Sequence, residues 1–121
     1  MPGRGGVRVR AETNFSMTTI RVVLVTASGM KEARQLTRRL IHEKWAACVT
    51  IVPRVESTYW WKGNVETASE ALLIIKTSSA KVSRLISRVR QLHSYTVPEV
   101  LALPVLQGNP PYVKWVQSSI R

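Results

Sequence analysis

A chain of 121 residues suits one domain with a single core, and its 18 Lys and Arg outweigh 7 acids, all of them glutamate. The lone cysteine, Cys48, excludes an intrachain disulfide and any zinc site built from cysteine pairs, and it fits a reducing cytoplasm. The longest apolar runs, such as ALLII at 71–75, fall far short of the ~18 residues that a bilayer span needs, so a soluble chain without membrane insertion is expected.

Residues 1–16 carry Arg4, Arg8 and Arg10 among glycines and have no apolar core pattern. They are expected to be a disordered or mis-called N-terminal extension ahead of the domain at 17–121, in preference to an organelle-targeting arm. TIRVVLVTA (19–27) is β-branched and apolar, a strand, and Ser28 is expected to cap the helix that follows. In that helix Ala33, Leu36, Leu40 and Ile41 recur on one side, with Lys31, Arg34 and Arg38 on the other. AACVTIVPRVESTYWW (46–61) reads as a long strand bent or bulged at Pro53, and residues 62–65 supply the turn to its partner at 65–77.

Ser79 is expected to cap a second helix with Val82, Leu85, Ile86, Val89 and Leu92 inside and Lys81, Arg84 and Arg88 outside. SYTVPEVLALPV (94–105) holds a short proline-tolerant strand, and YVKWVQSSI a last helix. The order βαββαβ predicts an α+β, ferredoxin-like sandwich with an extra C-terminal helix and a long hairpin between the second and third strands. VVLV (22–25) and ALLII are apolar on both parities, so both sheet faces need cover, while two helices cover only one. A second copy of the chain is the simplest partner, and the exposed-looking rings of Tyr59, Trp60 and Trp61 are candidates for that interface.

Phosphate-cradling glycine loops, paired-histidine zinc motifs and nucleophile elbows are absent from the sequence. His42 reads as a surface side chain and Cys48 as a small buried one. His93, at a helix end close to Tyr95 and Glu99, reads first as a helix-end histidine, and as a metal ligand only if further subunits complete the site. The order βαββαβ is also that of RNA-recognition motifs, but the central strands lack the aromatic residues that stack bases. Nucleic acid is therefore expected only as weak electrostatic attraction to Lys81, Arg84 and Arg88.

The runs RLIHEKWAACVTIVPRVESTYWWKGNVE (39–66), EALLIIKT (70–77) and LHSYTVPEVLALPV (92–105), followed by YVKWV, resemble the CutA divalent-cation tolerance proteins. The resemblance implies a cytoplasmic homotrimer with hairpins reaching across to neighbours, similar to the nitrogen-regulatory PII signalling proteins. It implies a non-enzymatic role in tolerance of copper or other divalent cations, with metal or a small ligand at subunit clefts near His93, Tyr95 and Glu99. An alternative it also allows is a trimeric interaction or signalling scaffold. Copper-binding members carry a thiol and two adjacent histidines at positions that match Val25, Leu92 and His93, so only His93 is kept here as a Cu(II) ligand candidate. Ser94 stands where the family usually has proline, and a basic surface stands where it is commonly acidic.

Because residues 1–16 lack a core pattern, a chain starting at Met17 is expected to melt within a degree or two of the full chain in a thermal scan.

Overall fold

The computed structural model describes residues 18–121, and the N-terminal extension expected at 1–16 lies outside them. Its elements are β1 (Ile20–Ala27), α1 (Met30–His42), β2 (Cys48–Trp61), β3 (Asn64–Ser78), α2 (Val82–Leu92), β4 (Val100–Pro104) and α3 (Pro110–Ser119). The strands form one antiparallel sheet in the order β2-β3-β1-β4, the α+β arrangement that the sequence pattern predicts.

Strand alternation divides the apolar residues between two faces. Val23 lies across from Ile75 and Ala102, and Ile75 from Val49; Val25 lies across from Leu73 and Val100. Val23, Val25, Leu73 and Ile75 pack with Ala33, Leu36 and Leu40 of α1 and Leu85 and Val89 of α2. On the other face runs the row Leu101, Leu24, Ile74, Thr50.

That second face is not wholly bare. Ile20 belongs to it, and Ile20, Val116 and Ile120 are buried outside the main core while α3 contacts β1 and β3. Thus the terminal helix covers one end of the face, which the two-helix reading of the sequence leaves out. Leu101 and Leu103 stay exposed at the β4 edge.

Two caps differ from expectation. Ser28 does not cap α1: its N–H and hydroxyl both donate to Glu32 Oε1, at 2.9 and 2.8 Å, and Gly29 takes the N-cap position. Ser79 opens a 3-10 turn, Ser79–Lys81, and makes no side-chain cap bond to α2. Helix α3 begins at Pro110, two residues before the expected Tyr112, because the first helical turn has no use for the missing proline N–H. The fourth strand is shorter than the segment 94–105, starting only at Val100.

The hairpin turns on Lys62 and Gly63, both at positive φ (50° and 82°), and pairs Trp61 with Asn64, as a two-residue turn of left-handed residues does. Nearer its base the register shifts between Val52 and Val55, where Pro53 and a left-handed Arg54 (φ 53°) form the expected bulge. Beyond the bulge Val55, Ser57, Tyr59 and Trp61 share the face of Val52, and Trp60 takes the opposite one.

Helices α1 and α2 run antiparallel and are tied at both ends. Ser94 N–H donates to Glu32 Oε2 at 2.7 Å, and Lys81 Nζ to the Lys44 carbonyl at 3.0 Å. Glu43 takes Arg88 in a bidentate pair (2.8 and 2.9 Å), Arg39 at 3.0 Å and the Trp45 indole N–H at 3.0 Å. Of the outward stripe expected on α2, only Arg84 is fully exposed; Lys81 lies over the Trp45 ring and Arg88 is half-buried on Glu43.

Leu73→Ala, in the centre of the core, is expected to cost about 2–5 kcal/mol in urea denaturation. Both tying carboxylates are held down to about 2 from 4.5. For Glu32, burial pushes upward, but the Ser28 and Ser94 backbone N–H groups and the Ser28 hydroxyl together outweigh it; for Glu43 the Arg88 guanidinium dominates. A carboxylate with a depressed folded pKa stabilises the fold above its unfolded value and loses that contribution as pH falls through the folded one. Melting temperature is therefore expected to drop between about pH 4.5 and 2, and Glu32→Gln to flatten part of that drop.

Candidate functional site

At the end of α2 the chain leaves the helix at His93, whose N–H still donates to the Val89 carbonyl at 2.8 Å. The His93 side chain is fully buried. Its Nε2 lies 2.7 Å from the Thr26 carbonyl oxygen, an acceptor only, so Nε2 carries the proton. Nδ1 then accepts the Tyr95 backbone N–H at 3.0 Å. One neutral tautomer therefore uses both ring nitrogens on backbone groups, and the Glu32 carboxylate, 3.7 Å from Nδ1, is beyond hydrogen-bond reach.

This ties the start of the loop that follows α2, at Tyr95, to the end of β1 through the His93 ring. The Tyr95 ring packs on His93 (centroids 4.7 Å, tilted 49°), and its hydroxyl donates to Glu70 Oε2 at 2.8 Å. Glu70 is only 7% exposed, an acid on a sheet face satisfied by this phenol. Burial, then the Glu70 bond and charge, push the Tyr95 pKa upward, so Tyr95 stays a donor at any ordinary pH.

Between this loop and the hairpin opens a cleft of about 860 Å³. Glu66, Glu70 and Glu99 line it together with Tyr59, Trp61 and Tyr95; Thr26, Ser57, Thr58, Ser94, Thr96 and Val97 complete the wall, and among the described residues no Lys or Arg takes part. Among the residues singled out from sequence, Tyr59, Trp61, Tyr95 and Glu99 meet here, with His93 behind the wall. Trp60 does not: it pairs with Val65 on the opposite face and is 74% exposed. Glu66 and Glu70 were missed, although period 2 places them on one strand face. The Thr26 carbonyl leaves no sequence signal.

A copper centre does not fit one chain. Val25 is buried in the core, Leu92 packs beside it, and both nitrogens of His93 are committed. Among the described residues no three His, Cys, Asp or Glu side chains gather as a metal site requires.

Residues 21–119 match the family model described as CutA1 divalent ion tolerance protein. Rice Protein CutA 1, chloroplastic, is 44% identical over 93% of this chain and 63% of its own length. The Divalent-cation tolerance protein CutA of Thermus thermophilus is 43% identical over 81% of this chain and 95% of its own. Mouse Protein CutA is matched over 55% of its length, so the chain spans little more than half of some relatives. The crystal structure of rice CutA1 superposes with a TM-score of 0.83 at 45% identity, covering 87% of this chain and 96% of that one. With the family model matching from β1 through α3, and the same fold in a solved relative, this chain belongs to the CutA1 divalent ion tolerance protein family.

Proposed function

We propose that the protein is a non-enzymatic divalent-cation response protein, acting as a homotrimer in the cytoplasm, with its ligand cleft completed by a neighbouring subunit. The observation that carries this reading is one juxtaposition: a cleft holding three of the six described glutamates opens beside rings that the chain does not cover itself. The name of the Thermus relative, divalent-cation tolerance protein, supports the cation class. The chain's single cysteine supports a reducing compartment.

In this reading Glu66, Glu70 and Glu99, which line the cleft without converging on one point, offer separate hard oxygen donors of the kind that suits Mg(II), Ca(II) or Mn(II) better than Cu(I). A neighbouring copy brings the remaining donors. Direct ligation by His93, the Cu(II) candidate from sequence, requires Nδ1 to give up the Tyr95 amide; His93 is a positioning residue that sets the Tyr95–Glu70 wall. Tyr59, Trp60 and Trp61, at 43%, 74% and 48% exposure, are the interface candidates, joined by Leu101 and Leu103.

Sedimentation equilibrium is expected to give a trimer at micromolar concentration, and Trp60→Ala and Trp61→Ala to weaken it by about 3–5 kcal/mol for each ring that is buried. A soluble wild-type monomer would sink the assembly. For the cleft, Mn(II) calorimetry of Glu66→Gln/Glu99→Gln is expected to show binding about tenfold weaker than wild type. If instead Cu(II) gives nitrogen hyperfine lines that vanish in His93→Ala, the metal sits on His93 and the carboxylate reading fails.

A further inference from the structure

Charge is sorted between the two helical segments and the rest of the described chain. The helical side, residues 28–47 and 79–93, carries nine Lys and Arg against two glutamates, whereas the rest of the described chain carries six against four. Both helical acids are turned to internal work. Glu32 holds Ser28 and Ser94, and Glu43 is shared by Arg88, Arg39 and the Trp45 indole. Neither neutralises Lys31, Arg34, Arg38, Lys44, Arg84 or Arg90, all of which are exposed.

Their spacing adds to their number. Lys31, Arg34 and Arg38 recur at i, i+3 and i+7 along one side of α1, a row about 10 Å long at 1.5 Å per residue. Arg84 stands on the antiparallel neighbour α2. A duplex carries one phosphate charge per about 1.7 Å of axis, so a row of this length faces several phosphates at once.

What the helical side lacks narrows the partner. Every exposed large apolar residue among those described lies on β2, β3, β4, α3 or the loops of 94–106; Trp60 and Val65 share the helix-side face of the sheet but lie out on the hairpin, and none is on α1 or α2. A membrane-seated helix face needs apolar side chains to insert, and single-strand binders stack bases on aromatic rings. A rigid array of phosphates needs neither. We propose that the α1–α2 face docks on the phosphate backbone of a nucleic-acid duplex without sequence preference. It lies across the sheet from the glutamate-lined cleft and does not depend on how that cleft is used. Binding through this face differs from the weak attraction expected at Lys81, Arg84 and Arg88, because Lys81 and Arg88 are engaged by the Lys44 carbonyl, the Trp45 ring and Glu43, and the row on α1 supplies the free cations instead.

Fluorescence anisotropy of the full-length protein with a labelled 20-base-pair DNA duplex, between 50 and 200 mM KCl, tests the assignment. Wild type is expected to show log K falling linearly with log salt. Arg34→Gln/Arg38→Gln/Arg84→Gln should bind about tenfold or more weakly at 50 mM and lose about 2–3 from the magnitude of the slope, near 0.9 per phosphate contact. Lys62→Gln/Lys114→Gln/Arg121→Gln removes equal charge elsewhere and should keep the wild-type slope. Arg4, Arg8 and Arg10 are present in all three proteins and cancel in the comparison. Equal losses in the two triple variants would mean net charge alone and would overturn the proposal. So would a salt-independent wild type, or tighter binding to phosphatidylserine vesicles than to duplex at the same salt.

Discussion

The pairing of Ile20–Ala27 with Ala71–Ser78 at the centre of the sheet is the contact on which the rest depends. It sets Val23, Val25, Leu73 and Ile75 side by side under both helices, and the same register brings Leu24 and Ile74 together on the reverse. Burial of each such aliphatic side chain contributes about 1.5–3 kcal/mol, which makes the helical face the main core of the chain. The reverse face then becomes available for other purposes. Part of it is closed by α3 through Val116 and Ile120, and the remainder runs out into the hairpin and the cleft.

His93 links the two sides. Its ring reaches from the end of α2 to the Thr26 carbonyl on β1 and returns through the Tyr95 amide, and Tyr95 in turn satisfies Glu70. A carboxylate that would otherwise be costly to bury is thus held in place by a chain of hydrogen bonds that starts at a helix terminus. Glu32 secures the outer side of the same corner, accepting from Ser28 before α1 and Ser94 after α2. Acids therefore act as ties on the helical side, where cations face solvent, and as lining on the cleft side.

The strand and helix order was legible because each apolar pattern is long and bounded by turn residues, as in 19–27 and 82–92. The bulge was legible at Pro53, since proline breaks a ladder; its left-handed residue, Arg54, was not, because arginine has no preference for that conformation. The consequence is large. Continuous alternation would put Trp60 on the face of Val52, whereas the bulge puts Tyr59 and Trp61 there and so decides which rings line the cleft. The capping serines misled for separate reasons: the N–H and hydroxyl of Ser28 both donate to Glu32 one turn along, and Ser79 opens a 3-10 turn ahead of α2. Glu70 looked like an ordinary polar strand position, and only the path of residues 94–99 turns it into a buried acid.

In a single chain β2 is an edge of the sheet, 14 residues long and rich in β-branched and aromatic side chains. Such an edge is a template for strand addition and fibril growth. Pro53 removes one donor from it, and the adjoining bulge divides it into two short lengths, Cys48–Val52 and Val55–Trp61, that cannot continue one flat ladder. At the opposite edge β4 is five residues long and ends in Pro104. Together with the net charge of +11, these breaks give the chain colloidal protection while its hairpin rings stand exposed.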